Sequence, residues 1–206
     1  AMAAGCTVVL KAAPTTSWCA NFLGEIIATK TDVPAGAVNI LTSGDNAAIG
    51  EMLTADPRVD MVGFTGSTGV GKRIGEVCGS QVKRVQLELG GKSAAIVLPD
   101  MPGLTHVAGA MGATVCFHAG QGCAIFTRLL VPKSELDACA DAVIQSLKNV
   151  KYGDPFDPEN IMGPQNSALQ RERVEGHIQH AIDQGGKLLV GGGRATQFDK
   201  GYFMQP

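Results

Sequence analysis

Asp60-Met-Val-Gly-Phe64-Thr-Gly66-Ser-Thr-Gly-Val-Gly71-Lys-Arg-Ile-Gly-Glu-Val-Cys78 is a short apolar run, then a glycine-rich turn, then a run with helical periodicity. It predicts a strand from Asp60 to Phe64, a turn over Thr65 to Gly71 and a helix from about Val70 to Cys78. The same alternation extends outward on both sides. Upstream, Thr7 to Leu10 reads as a buried strand that ends at Lys11 before the turn-forming Ala13-Pro14. A helix capped by Thr16 or Ser17 follows, with a buried stripe of Trp18, Cys19, Phe22, Leu23, Ile26 and Ile27, and it stops before Pro34. Ala37 to Leu41 is a second strand and Ala47 to Leu53 a short helix. Downstream, Val82 to Leu89 is a strand in which Val85, Leu87 and Leu89 alternate with Arg84, Gln86 and Glu88, so Glu88 lies on the less apolar face.

Strands separated by helices at this spacing need parallel crossovers, which predicts an α/β fold with a doubly wound, Rossmann-like parallel sheet. Such sheets bind ligands at the carboxyl ends of their strands. Lys11, Gly66-Ser67 and Glu88 all fall at that edge.

Gly90-Gly91 breaks the pattern and marks a domain boundary, giving segments 1–90 and 91–206. In the second, also α/β, Ala94 to Leu98 is a strand, Leu104 to about Cys116 a helix and Ala124 to Val131 a strand containing Arg128. A helix starting near Ser134 and Asp137 repeats Leu136, Cys139, Ala140, Val143, Ile144 and Leu147 at 3.6-residue spacing. Tyr152 to Gln165 reads as loop, Ser167 to Gln184 as helix and Leu188 to Val190 as strand.

Composition excludes several classes. Seventeen basic and 19 acidic side chains give a net charge of −2, with no basic run and ten aromatics, which does not describe a nucleic-acid binder. No stretch approaches the roughly 20 apolar residues needed to span a bilayer, and no signal-peptide pattern opens the chain. Of six cysteines none pair in a C-x-x-C spacing, and the regular α/β pattern needs no disulfide staples, so a reducing, cytoplasmic protein is expected. His177 and His180 share a helical face but lack a third ligand, and no metal site is expected.

Cys123 sits in Ala119-Gly-Gln-Gly-Cys123-Ala-Ile125, after a glycine-flanked turn and before an apolar strand. A thiol there is approachable by substrate, and nearby backbone N–H groups are available to an oxyanion. Read alone, Cys123 is a small apolar residue, as the other five cysteines are read. His118 lies close in sequence, but nothing in the local pattern orients its ring.

The turn Gly66-Ser-Thr-Gly-Val-Gly71-Lys72-Arg73 nearly matches G-x-x-x-x-G-K-[ST], and Ala94 to Asp100 resembles a strand bearing a magnesium-binding Asp, so a P-loop nucleotide hydrolase is a rival reading. Arg73 stands where a hydroxyl should hold Mg²⁺, and a guanidinium has no oxygen to offer. What remains is a glycine-rich turn before a helix N-terminus, suited to a pyrophosphate.

Gly5 to Pro14, Phe64-Thr-Gly-Ser-Thr68, Leu87-Glu-Leu-Gly-Gly-Lys-Ser93 and Gly120-Gln-Gly-Cys123 occur in the order and rough spacing of the aldehyde dehydrogenase superfamily. Tyr152 to Asp157 and Met162-Gly-Pro-Gln165 also resemble family loops, so the likeness spans residues 1 to 206. The resemblance implies oxidation of an aldehyde to a carboxylic acid, with Cys123 as nucleophile and Glu88 as the base for hydrolysis. It implies NAD or NADP as hydride acceptor, held by Lys11, Gly66, Ser67, Gly71, Leu89 and Gly90, with Lys11 on the adenosine ribose and Ser67 at the pyrophosphate. Pro14 stands where many NAD-preferring members have a Glu, which leaves NADP open beside NAD. Family members are commonly dimers or tetramers, so a homo-oligomer is expected. The family's oxyanion-hole Asn would lie upstream of residue 1 and its nicotinamide-ribose Glu downstream of residue 206. Residues 1–90 then read as part of a cofactor domain and 91–206 as part of a catalytic domain, a central segment that alone would be a poor catalyst. A non-catalytic structural relative is the third reading, against which Glu88 and Cys123 both stand.

Overall fold

The computed structural model describes residues 1–206, and it resolves into two units, Ala1–Gly90 and Gly91–Pro206. In the first, β1 (Val8–Lys11) pairs in parallel with β2 (Val38–Leu41) through α1 (Ser17–Lys30). After α2 (Asn46–Ala55), β3 (Met61–Gly66) pairs in parallel with β4 (Arg84–Leu89) across α3 (Thr68–Ser80). Both crossovers are strand–helix–strand, as the alternating pattern requires. Caps fix where the helices begin: the Asp45 carboxylate accepts from Ala48 N at 2.9 Å, and the Ser67 hydroxyl accepts from Val70 N at 3.5 Å. Because Ser67 is the cap, α3 starts at Thr68, and Gly69 and Gly71 belong to its first turn rather than to a free loop.

The second unit pairs β5 (Ser93–Ile96) with β6 (Phe126–Leu130), again in parallel, through α4 (Leu104–Ala113). α5 (Leu136–Lys148) packs on α4, and α6 (Ala168–Asp183) starts at Ser167, whose hydroxyl accepts from Gln170 N. Ala95, Val97, Ala108, Cys116 and Cys139 are buried here, while Ala12, Thr54, Ile74 and Cys78 are buried in the first unit.

The strands form three two-stranded parallel pairs, β1–β2, β3–β4 and β5–β6, in keeping with the expected parallel α/β class. Two expectations need correction. Leu188 to Val190 is not a strand: no segment pairs with it, and Leu188 and Leu189 are exposed. The stripe on α1 is not buried either, with Trp18 86% exposed and Phe22, Leu23 and Ile26 also open, because no element of the chain covers that face. Helical periodicity registers an apolar face, not the presence of something to bury it.

The α4–α5 contact depends on glycine. A Cβ on Gly112 would lie 2.7 Å from both Val143 methyl groups and 3.1 Å from Val143 Cβ. Valine is stiff at χ1 and cannot swing aside. Gly112→Ala should therefore destabilise the protein by about 1–3 kcal/mol, although alanine is the better helix former. A lowered denaturant midpoint at unchanged slope checks this, and a raised midpoint contradicts it.

Candidate functional site

In the first unit the candidate side chains lie at or next to strand ends. Thr65 faces Glu88 and Gly66 faces Leu89 in the β3–β4 register, so the exposed Glu88 carboxylate lies one residue from the end of its strand. Gly66 and Ser67 connect β3 directly to the N-terminus of the 13-residue α3. Gly66 has no room for a side chain, since a Cβ would lie 2.5 Å from the Phe64 ring. Gly71 is buried, and a Cβ there would lie 2.5 Å from a Leu89 methyl group, so these two residues seat α3 against β4 whatever else they touch. Gly90 is exposed just beyond β4. Lys11 ends β1, its Nζ donating to Ala12 O at 2.9 Å and to the Asn46 side-chain oxygen at the start of α2.

A helix N-terminus capped by a serine, reached through a glycine and accompanied in the same unit by a strand-end lysine, suits an anionic dinucleotide. The residues present thus fit a pyrophosphate. They do not fit a P-loop with Mg²⁺. Arg73 donates to Glu51 at 2.5 Å and Glu76 at 3.1 Å, and those hydrogen bonds push its guanidinium further up, committing it to α2 and α3.

The second unit presents Cys123. α4 ends at Ala113, three residues earlier than expected, and Thr114–Gly120 continues as tight 3₁₀ turns that leave helical geometry at Phe117. The chain must reverse here to start β6, and it does so through three successive positive-φ residues: His118 at 50°, Ala119 at 53° and Gly120 at 76°. Glycine takes that region freely, whereas His118 and Ala119 each sacrifice about 1–2 kcal/mol. Compensating hydrogen bonds are visible. Gln121 donates both N and Nε2 to His118 O, at 3.1 and 2.9 Å, and its Oε1 accepts from Asn166 N at 3.1 Å. Gln165 Nε2 donates to Ala119 O at 2.8 Å.

Cys123 follows this turn as an exposed thiol, whereas Cys78, Cys116 and Cys139 are buried. Burial pushes the Cys116 thiol up, and burial together with Glu135 does the same at Cys139, so neither is a ready nucleophile. Cys6 and Cys19 are exposed, contrary to their reading as packed apolar residues. His118 is exposed and contributes its carbonyl rather than its ring to the turn. Two apolar grooves in this unit, one lined by Leu129, Cys139 and Val143 and the other by Ala95, Val97 and Phe126, do not include Cys123. No helix is long and apolar enough to cross a membrane.

Sequence reading gave no role to Gln121, Gln165, Asn166 or Asn46. The available signals were Gly120-Gln121-Gly-Cys123 and Met162-Gly-Pro-Gln165, two of the stretches that carry the family resemblance. The partner of Gln165 in the turn lies 46 residues away, beyond the reach of local pattern.

The aldehyde dehydrogenase family model matches residues 1–206. The chain is 40% identical over 207 aligned residues to a 3-succinoylsemialdehyde-pyridine dehydrogenase of a Pseudomonas species, covering 100% of this chain and 43% of that protein. Among solved structures, an aldehyde dehydrogenase of Mycobacterium tuberculosis complexed with NAD+ superposes with a TM-score of 0.91 at 41% identity, over 98% of this chain and 41% of that one. An NADP dependent enzyme of E. coli superposes with a TM-score of 0.87 at 35% identity, over 100% of this chain and 42% of that one. The chain spans less than half the length of each of these relatives.

Proposed function

This chain belongs to the aldehyde dehydrogenase family, and from that premise we propose that it supplies the nucleophile, the hydrolytic base and the pyrophosphate turn of an NAD(P)-dependent enzyme oxidising aldehydes to carboxylic acids. The observation that carries the reading is the exposed thiol of Cys123 behind a strained, hydrogen-bonded turn.

An aldehyde has no leaving group, so oxidation begins with covalent attack. Cys123 Sγ bonds to the carbonyl carbon, and the carbonyl oxygen becomes an alkoxide. The hemithioacetal on Cys123 then loses hydride as the C=O bond re-forms, leaving a thioester, and bound NAD(P) would supply the acceptor for that hydride. Glu88 takes a proton from water, the water oxygen attacks the thioester carbon, and the C–S bond breaks to return the thiolate and release the acid. Lys11, Gly66, Ser67, Gly71, Leu89 and Gly90 are the residues assigned to the dinucleotide, with Lys11 toward the adenosine ribose and Ser67 toward the pyrophosphate. Residues 1–90 serve as part of the cofactor domain and 91–206 as part of the catalytic domain, in a cytoplasmic homo-oligomer of two or four chains. Both NAD and NADP fit this reading, since Pro14 puts no carboxylate near Lys11 in sequence to repel a 2′-phosphate.

Peptide-mapped alkylation of all six cysteines in the full chain at neutral pH, with and without NAD and separately with MgATP, tests it. Cys123 should react at least tenfold faster than the exposed Cys6 and Cys19, at a rate that NAD changes, since only an activated thiol exceeds its exposed neighbours. Cys123 reacting like Cys6 and Cys19, indifferent to NAD, would remove the assignment. Protection by MgATP alone would reinstate the nucleotide hydrolase.

A further inference from the structure

Gln165 is 4% exposed, yet its side chain is an amide in a place where leucine or methionine would fill the same volume. Only half of that amide is used. Nε2 donates to Ala119 O at 2.8 Å, while Oε1 is buried without a partner. A buried carbonyl oxygen left unpaired is unfavourable, so the single bond that Gln165 makes has to offset it. That bond goes to a residue in the left-handed conformation four positions before Cys123.

The platform behind Gln165 is well anchored. Its backbone N donates to Tyr202 O at 3.0 Å in an antiparallel bridge, and the next residue's N holds Gln121 Oε1. Ser167 then caps α6, and α6 is tied to the 194–204 segment by a bidentate Arg194–Glu175 pair at 2.5 and 2.8 Å. The turn, by contrast, holds two non-glycine residues, His118 and Ala119, at positive φ, a region that L side chains seldom adopt.

We propose that Gln165 is a positioning residue for the nucleophile: its buried amide holds Ala119 in the left-handed conformation and so fixes where the turn presents Cys123. The proposal rests on the reading of Cys123 as nucleophile. Reaction rates fall steeply when a reacting atom is displaced by even about 1 Å, so a latch on this turn acts on catalysis through Cys123 without touching substrate.

Three variants of the full chain test it. Gln165→Met keeps the volume and removes the donor. It should lower kcat for aldehyde oxidation about 10–100-fold, with KM for NAD within about twofold, and lower the Cys123 alkylation rate relative to Cys6 and Cys19. Gln165→Glu donates to Ala119 O only while its carboxyl is protonated, and its carboxylate would oppose the carbonyl oxygen. Its deficit against the unmodified protein should therefore shrink as pH falls. Adding Ala119→Gly to Gln165→Met should restore much of the loss, because glycine holds positive φ without the latch. A purely structural role would lower Tm in the Gln165 variants while leaving the Cys123 rate ratio unchanged, the pH profiles parallel and the glycine without effect.

Unchanged kcat and rate ratio in Gln165→Met overturn the proposal. Should that variant fail to fold, Gln165→Glu decides by its pH profile, and a profile parallel to the unmodified protein overturns the proposal equally. Cys123→Ser separates the two readings. Turnover retained there removes the nucleophile, whereas turnover lost there but intact in Gln165→Met removes only the latch.

Discussion

Cys123→Ser should lower aldehyde-dependent NADH formation by about 10⁴-fold or more, with the affinity for NAD unchanged. The substitution changes one atom on an exposed residue, so the fold has no reason to respond. What it removes is the thiolate. Sulfur is intrinsically the better nucleophile, whereas a serine hydroxyl needs a base and finds none in its own turn: the His118 ring is exposed, and that residue serves the turn through its carbonyl. No covalent adduct then forms, and hydride has no hemithioacetal from which to leave. The check is NADH absorbance at saturating aldehyde beside a fluorescence titration with NAD. Turnover within tenfold of the unmodified enzyme would move the nucleophile to another residue.

Glu88→Gln should behave differently, because in the proposed reaction Glu88 serves only the second half. Attack by Cys123 and hydride release need no base at Glu88, so a pre-steady-state burst of about one NADH per site should survive. Hydrolysis of the thioester loses its proton acceptor, and steady-state turnover should fall about 10²–10³-fold, within the range that general-base removal produces. Mass spectrometry of the quenched protein should find the acyl group on the peptide carrying Cys123. The variant is conservative at an exposed strand position opposite Thr65, so loss of fold is not expected. A variant with neither burst nor acyl-enzyme would place Glu88 before hydride transfer, and one with unaltered steady state would remove it from the reaction.

The candidate residues of the two units were legible to different extents. Around Glu88 the alternation of Val85, Leu87 and Leu89 places the carboxylate on the open face, and the structure keeps it at Leu87, Glu88 and Leu89, whereas Val85 is exposed like its neighbours. The helix after Gly66 is expected from about Val70, and the structure starts it at Thr68 because the Ser67 hydroxyl accepts from Val70 N. Around Cys123 the local signals go only part of the way. One glycine at 120 announces a left-handed residue, but His118 and Ala119 carry nothing that would place them there. They adopt that conformation beside hydrogen bonds from Gln121 and from Gln165, and the second partner lies 46 positions away. The apolar stripe of α1 and the run Leu188 to Val190 illustrate the same limit, since both have the composition of buried elements, yet Trp18, Phe22, Leu188 and Leu189 are exposed.

From the sequence alone came the parallel α/β class, the break after Gly90 and the strand-end positions of Lys11 and Glu88. All of these follow from period and turn chemistry acting over a few residues. Only the tertiary structure decided how far each strand pairs, that α4 stops at Ala113, and that the turn before Cys123 is left-handed and latched by Gln165. Those features depend on donors and packing partners brought together from distant parts of the chain, and no local preference encodes which partner arrives.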